Sequence, residues 1–376
     1  MSQRILKIYD LDLLKFTPGK DVNGDIACHI DKVYEENRDR LPLDLKLSDE
    51  GLAQWLRRRA IPKNRAYVQN LLAKMGLNIK ETLGIIDICY GLSLNDSYWV
   101  TPSVFDKSFA QCNLFENNFD EFVAEVAFSG MGSFSGPTPR SSPEFTTGGM
   151  LAKAWRRRDD GIYLYKSGTT GFANAGKEPY SEYYAAQIAE VLGYRHTLYD
   201  LEVWKEMLCS TCKLWTDIDL SFIPIGWLVT AGGLSAVVDY YDKLGKSFMQ
   251  EFTNMLIFDA IVANEDRHYG NFGLLIDSHT NHIISTAPIF DNGLSLLWSG
   301  LEDDLINWRD FLATRLPKAY DDYIGTARTY MDAEDVVRIK RLIGFEFQRH
   351  PQHNLPEERL TSLEQMVQGQ VQKLLA

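Results

Sequence analysis

The feature that most constrains this chain is a largely apolar segment that leads into a short polar loop. Residues 248–263 have apolar side chains around most of a helical surface, which predicts a buried helix that delivers the chain rigidly to Asn264. The loop 264–271 then reads Asn-Glu-Asp-Arg-His-Tyr-Gly-Asn, and Asp291 follows twenty residues after Asn271, two residues before Gly293. The chain must therefore fold so that a buried helix presents carboxylate and amide oxygens together.

The chemistry of these oxygens predicts roles for them. A hairpin predicted over 274–284 would fold the chain back so that Asp291 emerges beside Asn271. Magnesium prefers hard oxygen ligands, so Asn271 and Asp291 are candidate ligands. Asp266, close to the metal but not bound to it, is the candidate general base for an attacking hydroxyl. His268 is interpreted as a structural residue, because an aspartate already fills the base position. The pattern predicts transfer of a nucleotide phosphoryl group.

Composition limits the partners of the chain. With 376 residues, 45% hydrophobic and 12% aromatic, it can bury a large core in two or three domain-sized units. The formal charge of −12 disfavours nonspecific binding to nucleic acid or anionic lipid. A basic cluster at 57–59 is therefore interpreted as a solvated helical face, and we expect neither direct DNA binding nor membrane association.

Cysteine usage and hydropathy predict the compartment. The five cysteines are sparse and odd in number, which favours reduced thiols in the cytoplasm; secretion as an effector stays open. Cys209 and Cys212 form a lone CxxC, interpreted as two small residues of a buried strand rather than a zinc site. The N-terminus lacks an apolar signal region, and the apolar run 222–238 is interrupted by Pro224 and glycines, which predicts core strand and turn.

Three regions are expected along the chain. Apolar residues recur at helical spacing over 52–72, interrupted at Pro62, and another helix is predicted over 77–90. Residues 1–128 are accordingly predicted to form a helical accessory region. Residues 129–217 would form an antiparallel β lobe, and residues 218–376 a mostly α-helical lobe.

The predicted β lobe begins with a polar loop and a hairpin. A Gly, Ser, Thr and Pro-rich loop over 129–149 precedes strand-like runs at 150–155 and 162–165, joined by a turn at Asp160-Gly161. Lys166 ends the second run. Thr147 and the glycine amides at Gly148 and Gly149, with the strand lysine, suit the binding of nucleotide phosphates. Without corroboration, a hairpin that ends in a solvated lysine is the simpler interpretation.

Corroboration comes from the next helix. Residues 180–193 place apolar side chains four apart and end at Gly193, with Glu182 in the predicted first turn. Glu182 is a candidate partner for Lys166, although the helix dipole also favours an acidic residue there. A hinge for adenine is predicted at 213–217, with Lys213 and Trp215 as candidate contacts. A lysine, a glutamate helix, Asp-x4-Asn and Asp-x-Gly in this order seldom arise by chance.

These segments resemble a known family. Residues 261–273 (Ile-Val-Ala-Asn-Glu-Asp-Arg-His-Tyr-Gly-Asn-Phe-Gly) and 287–293 (Ala-Pro-Ile-Phe-Asp-Asn-Gly) are similar to the catalytic and metal-binding segments of HipA-like serine/threonine kinases, of the HipA and CtkA type. Residues 181–193 resemble their glutamate helix. The resemblance covers about residue 130 to the C-terminus and implies an α+β, bilobal protein-kinase-like fold, with an antiparallel β N-lobe and a mostly α-helical C-lobe.

The resemblance also implies cofactors, partners and residue roles. Relatives use ATP and Mg²⁺, and many are toxins of toxin–antitoxin pairs that phosphorylate a translation component and autophosphorylate in the glycine-rich loop. By position, Lys166 would bind phosphate, Glu182 would pair with it, Asp266 would be the base, and Asn271 and Asp291 would hold magnesium. A protein substrate and a cognate antitoxin are the implied partners.

The chain departs from the family in two places. Its loop, residues 141–150, lacks the Ser-Gly-x-Gln-Pro-Lys motif that is usual in the family, although residues 147–153 follow a similar pattern. Candidate phosphosites there are Ser141, Ser142, Thr146 and Thr147. Residues 1–128 do not match the N-terminal subdomain of full-length relatives. Two alternatives stay open: a lipid or small-molecule kinase on the same fold, and an inactive regulatory binding protein.

Overall fold

The computed structural model describes residues 2–131, 141–171 and 173–376, so part of the predicted polar loop lies outside the described residues. The chain divides into two compact units. The first comprises Met1–Lys166, Leu214–Ile223 and Leu275–Ile284, and the second comprises Ser167–Lys213, Pro224–Leu274 and Ser285–Ala376. The three regions expected from the sequence, 1–128, 129–217 and 218–376, stay a prediction.

Strands and helices are numbered along the chain. The strands are β1 (Arg4–Ile8), β2 (Leu11–Lys20), β3 (Ile26–Val33), β4 (Tyr98–Pro102), β5 (Lys153–Arg158), β6 (Gly161–Ser167), β7 (Asp200–Trp204), β8 (Met207–Lys213), β9 (Leu220–Pro224), β10 (Gly273–Asp277) and β11 (Ile283–Thr286). The helices are α1 (Asp49–Arg57), α2 (Val68–Lys74), α3 (Thr82–Cys89), α4 (Phe109–Cys112), α5 (Glu121–Ser129), α6 (Glu178–Leu192), α7 (Ile225–Leu228), α8 (Gly233–Leu244), α9 (Lys246–Val262), α10 (Glu302–Ile306), α11 (Trp308–Ala313), α12 (Tyr323–Tyr330), α13 (Ala333–Ile339) and α14 (Glu357–Leu375).

The N-terminal part of the first unit contains a sheet that was not predicted from the sequence. The expected helices are present as α1, α2 and α3, but β1 to β4 form an antiparallel sheet in the order β3-β2-β1-β4. Tyr9, with a left-handed φ of 49°, makes the tight turn between β1 and β2. Charged residues such as Lys7 and Asp12 obscure the apolar alternation, yet they pair across the two strands at 2.9 Å.

The helix α1 covers one face of this sheet. Its N-terminus is capped by Ser48, whose hydroxyl accepts a hydrogen bond from the Gly51 amide. The apolar face of α1 packs into the same core as the inward residues of β1 and β2; this core includes Leu6, Ile8, Leu14, Phe16, Leu52, Trp55 and Leu56. The basic cluster 57–59 forms the ion pairs Arg57–Glu50, Arg58–Asp44 and Arg59–Asp96.

The predicted hairpin is confirmed within the first unit. In β5 and β6, Arg158 pairs with Gly161, so the turn lies one residue earlier than the expected Asp160-Gly161. Lys153 pairs with Lys166 in the same register. The turn between β5 and β6 is therefore Asp159-Asp160, which leaves Gly161 as the first residue of the second strand.

In the second unit, β7 and β8 form an antiparallel hairpin. Cys209 and Cys212 are buried in β8, as expected for a strand. Among residues 2–131, 141–171 and 173–376, no group of three or more His, Cys, Asp or Glu side chains is arranged to hold a metal.

Helices make up most of the rest of the second unit. Helix α9 is buried along most of its length, as predicted. Helix α14 buries one face, which includes Leu360, Leu363, Val367, Val371 and Leu374. The expectation of core strand and turn over 222–238 is wrong beyond β9, because α8 begins after Gly232, which has a left-handed φ of 92°. None of the helices in the described part of the chain combines the length and apolar character needed to span a bilayer.

Candidate active site

The loop 264–271 of the second unit is shaped by its own first residue. Helix α9 ends at Val262, and Ala263 turns the chain with a left-handed φ of 52°. The buried Asn264 side chain then bonds in two directions: its Nδ2 donates to Asp259 Oδ1 at 3.3 Å, and its Oδ1 accepts from the Asp266 amide at 3.0 Å. Asn264 thus fixes the backbone of Asp266 relative to the buried helix.

Asp266 and Asn271, the predicted base and metal ligand, are joined within this loop. The Asn271 amide donates to the His268 carbonyl at 2.8 Å, and Asn271 Nδ2 donates to the Asp266 carbonyl at 3.2 Å. Because Nδ2 is used in this way, Oδ1 is the Asn271 atom suited to a cation. His268 is exposed, and its Nδ1 accepts from the Gly270 amide at 3.0 Å, so this imidazole contributes a local turn.

Arg267 is one residue of the site that was not recognised from the sequence. Its fully buried guanidinium donates to both carboxylate oxygens of Asp259, each at 2.9 Å. It also donates to the Asn271 carbonyl at 2.9 Å, the Phe290 carbonyl at 2.7 Å and Asn292 Oδ1 at 2.8 Å. One side chain therefore ties α9, the loop 264–271 and the segment on both sides of Asp291 together.

The charge on Arg267 is secured by Asp259. Burial by itself would lower the pKa of the guanidinium, but the charge and hydrogen bonds of the Asp259 carboxylate raise that pKa above its ordinary value. A buried, permanently protonated arginine with five donors can hold several carbonyls in a fixed geometry, which a neutral side chain cannot do.

Asp291 is held by a second residue missed from the sequence, Tyr199. The backbone of Asp291 has a left-handed φ of 56°, and its amide donates to the Tyr199 hydroxyl at 3.0 Å. Tyr199 follows a short pairing in which the Thr197 amide donates to the Ile289 carbonyl at 2.8 Å. A lone tyrosine between a helix and a strand carries no motif, which explains why it was missed.

The pKa of the Tyr199 phenol depends on two predicted site residues, Glu182 and Asp291. Burial, followed by the negative charges of Glu182 and Asp291, raises the pKa of the Tyr199 phenol well above its ordinary value. The phenol therefore stays protonated and neutral at physiological pH. The carboxylates of Glu182 and Asp291 both act on this one hydroxyl.

Glu182 lies in α6 but not in its first turn. The helix begins at Glu178, with Pro179 in the first turn, two residues earlier than expected. Glu182 is therefore in the second turn, where the helix dipole is a weaker reason for an acidic residue. Its buried carboxylate accepts a hydrogen bond from the Ser210 hydroxyl of β8. This bond fixes the side chain of the glutamate.

The predicted phosphate-binding residues lie in the first unit. Lys166 on β6 is 7% exposed, and Lys153, opposite it on β5, is 6% exposed. Gly149 has a left-handed φ of 85°, and a Cβ there would lie 2.2 Å from Lys153 Nζ. Only glycine fits this position without displacement of the lysine, whereas a Cβ at Gly148 would meet open space.

The candidate phosphosites differ in accessibility. Ser142 is fully buried and donates to the Glu144 carboxylate, and Thr146 is largely buried and donates to the Leu92 carbonyl at 2.8 Å. Thr147 is half-buried; its hydroxyl donates to the Pro143 carbonyl at 2.7 Å and accepts from Trp155 Nε1 at 2.9 Å.

The fourth candidate and the predicted hinge complete the set. Ser141 is half-buried and donates to the Cys89 carbonyl at 3.3 Å. Lys213 is the last residue of β8 in the second unit, whereas Trp215 belongs to the first unit and packs edge-on against Phe222 at 5.0 Å between ring centroids.

The residues present fit a magnesium ion. Asn271 offers an amide oxygen and Asp291 a carboxylate, which are hard donors of the kind magnesium takes, usually with phosphate and water in its remaining positions. Both residues are fixed through their backbones, Asn271 by Arg267 and Asp291 by Tyr199.

The chain has the α+β, protein-kinase-like fold that the HipA resemblance predicted. No family model matches the chain, and no curated protein does so either. The solved structure of HipA from Shewanella oneidensis MR-1, a toxin–antitoxin protein in complex with HipB and operator DNA, is 11% identical, and the match covers 99% of this chain and 97% of that chain at a TM-score of 0.57.

A second similar structure is the Helicobacter pylori proinflammatory kinase CtkA. It is 17% identical and covers 61% of this chain and 90% of that chain at a TM-score of 0.49. At such identities the similarity shows the fold alone. The predicted roles of individual residues are therefore supported by the chemistry of their side chains and not by the structural match.

Proposed function

We propose that this chain is an ATP- and Mg²⁺-dependent serine/threonine protein kinase of HipA-like type. The observation that carries the proposal is the Arg267 hub, in which one buried guanidinium bonds the Asn271 and Phe290 carbonyls and so joins the loop 264–271 to the segment that bears Asp291. A catalytic base and two oxygen ligands on a shared rigid support are what positioned phosphoryl transfer requires.

Each residue has a stated part in the reaction. Asp266 accepts the proton of the attacking hydroxyl and orients that oxygen towards the γ-phosphorus. Asn271 and Asp291 hold magnesium, which neutralises charge on the phosphates when it is bound. Lys166, oriented by Glu182, contacts the α- and β-phosphates, and the amides of Gly148 and Gly149 approach them from the glycine-rich loop. Lys213 and Trp215 flank the adenine.

The proposed partners are suggested by the similarity to the HipA structure. The Shewanella HipA structure contains HipB and operator DNA. For this chain we propose a protein substrate, for which a translation component is one candidate, and an antitoxin as a regulatory partner. The net charge of −12 supports indirect rather than direct association with DNA. We place the protein in the cytoplasm, and delivery as an effector remains compatible with the proposal.

The test is transfer of label from γ-labelled ATP. Purified protein is incubated with Mg²⁺ and either lysate or lipid vesicles, beside Asp266→Ala and a matched control, Asp310→Ala, at an exposed aspartate of α11. We expect protein labelling by the wild type and by Asp310→Ala, and a loss of at least about 100-fold in Asp266→Ala. Labelling at the Asp266→Ala level in every mixture would refute the kinase proposal and favour a regulatory binding protein. Label in lipid alone would favour a lipid kinase.

A further inference from the structure

The loop 264–271 is contacted by a segment that lies far from it in sequence. Residues 315–320 follow α11 and belong to the same unit as the loop. Their contacts with α9 and the loop are Arg315 to Glu265 at 3.6 Å, Lys318 to Asp266, the Ala319 carbonyl to the Tyr269 hydroxyl at 3.4 Å, and the Tyr320 hydroxyl to Asp259 Oδ2 at 3.2 Å.

This repeated attachment fixes where Lys318 can reach. Tyr320 is largely buried and bonds the same Asp259 carboxylate that holds Arg267, so one end of the segment is fastened to the hub of the site. Arg315 fastens the other end beside Asp266, through Glu265. The backbone at Lys318 is therefore held near the loop 264–271 by its neighbours on both sides, within reach of Asp266.

The contact of Lys318 is with the proposed base itself. Its ammonium donates to Asp266 Oδ1, with the lysine side chain 56% exposed and the aspartate side chain 18% exposed. An ion pair of this exposure is weak, because solvent screens it and the long lysine stem loses entropy. The ammonium can therefore leave the carboxylate when a more strongly charged group arrives.

We infer that Lys318 contacts the γ-phosphoryl group of the bound nucleotide. The inference rests on the proposed function, in which Asp266 orients a hydroxyl towards the γ-phosphorus, so a cation that touches Asp266 is next to the group being transferred. Preorganised cations stabilise the charge that phosphoryl oxygens carry in the transition state. In the structure Lys318 contacts Asp266; with nucleotide bound it turns to the phosphoryl oxygens and leaves the carboxylate able to accept a proton.

This role makes a prediction about binding that does not depend on activity. A lysine at the γ-phosphoryl group stabilises a nucleoside triphosphate but not a diphosphate. Substitution of Lys318 should therefore reduce the preference for triphosphate over diphosphate, whereas loss of a purely structural ion pair would weaken the binding of both equally or of neither.

The experiment compares the dissociation constants of ADP and of the β,γ-imido analogue of ATP, both with Mg²⁺, by titration calorimetry. The variants are Lys318→Ala, Lys318→Arg and, as a matched control, Lys340→Ala, which removes another exposed lysine of the second unit. We expect Lys318→Ala to weaken the analogue about 10-fold more than ADP, and to lower kcat about 100-fold. Lys318→Arg should restore much of the preference, and Lys340→Ala should match the wild type.

Two further results separate this inference from the proposed function. Equal effects on both nucleotides in Lys318→Ala, with Asp266-dependent transfer intact in the wild type, would overturn the role of Lys318 and leave the kinase proposal in place. Failure of the wild type to bind the analogue or to transfer label would overturn both. Unfolding midpoints of all variants confirm that each comparison is made between folded proteins.

Discussion

Arg267 and Asp259 form a bidentate ion pair in which Nε and Nη2 each lie 2.9 Å from a carboxylate oxygen and both side chains are fully buried. The remaining guanidinium donors reach three groups on two other segments. Arg267 thus acts through the residues it positions, since it holds the loop with Asp266 and the segment with Asp291 in one arrangement.

The first prediction concerns Arg267→Lys. A lysine keeps the charge but cannot make the two parallel bonds to Asp259 and reach the Asn271 and Phe290 carbonyls as well. Buried acceptors left without donors cost about 1–3 kcal/mol each, so we expect the free energy of unfolding to fall by about 3 kcal/mol and transfer to fall about 100-fold. Chemical denaturation and the labelled-ATP assay measure these effects. The control Arg328→Lys replaces an exposed arginine and should change neither; wild-type behaviour of Arg267→Lys would contradict the hub.

Some residues of this site could be predicted because their type and spacing indicate a chemical role; others could not, because their role depends on contacts that form only in the fold. Asp266, Asn271 and Asp291 were found because carboxylates and amides at these spacings suggest magnesium and a base. Arg267 stands in the same loop, but an arginine next to an aspartate looks like a surface pair. Its partner Asp259 lies inside an apolar helix eight residues earlier, and that buried acid was the available signal.

The fold showed a similar division. The helix predicted over 248–263 is present as α9, Lys246–Val262, because a long run of apolar residues without a breaker indicates a buried helix. The sheet of β1 to β4 was missed because cross-strand charge pairs such as Lys7 with Asp12 break the alternation.

Lys318 was missed for another reason: it lies 52 residues from Asp266 in sequence, and their contact depends on how the chain folds after α11.

The second prediction separates the charge of Glu182 from its packing. Glu182→Gln keeps the size of the side chain and an oxygen that accepts the Ser210 hydrogen bond, but removes the negative charge that would orient Lys166. We expect a loss of roughly 30-fold in kcat/KM for ATP, and a lower unfolding midpoint because the buried Lys166 would lose the charge that compensates it. Glu190→Gln, at an exposed position of the same helix, is the control. Full activity of Glu182→Gln would remove Glu182 from the phosphate-binding machinery.

The third prediction uses Ser210→Ala. The buried Glu182 carboxylate would lose a donor, and such a loss costs about 1–3 kcal/mol. We therefore expect a lower free energy of unfolding than in the wild type, together with weaker ATP binding. Denaturant titration measures the first effect and calorimetry the second. If Ser210→Ala were as stable as the wild type, the Ser210 hydrogen bond would not be what holds Glu182.

The fourth prediction concerns the order of phosphorylation in the glycine-rich loop. Ser142 and Thr146 are buried with hydroxyls that donate to Glu144 and to the Leu92 carbonyl, so neither can receive a phosphoryl group without local opening. Ser141 and Thr147 are half-buried and need a smaller movement. Peptide mass spectrometry after incubation with ATP should find phosphate at Ser141 or Thr147 first. Asp266→Ala supplies the background.

The same prediction can be tested by loosening the loop. Trp155 Nε1 donates to the Thr147 hydroxyl at 2.9 Å, so Trp155→Phe should free that hydroxyl and raise the share of phosphate at Thr147 several-fold, since one hydrogen bond contributes about 1 kcal/mol. Thr147→Val keeps the branched shape of the side chain but removes the hydroxyl that would receive the phosphoryl group, so in this background Trp155→Phe should no longer raise the phosphate content of the loop. Early phosphate at Ser142 in the wild type would mean that the buried pair with Glu144 opens more readily than the pairs at Ser141 and Thr147.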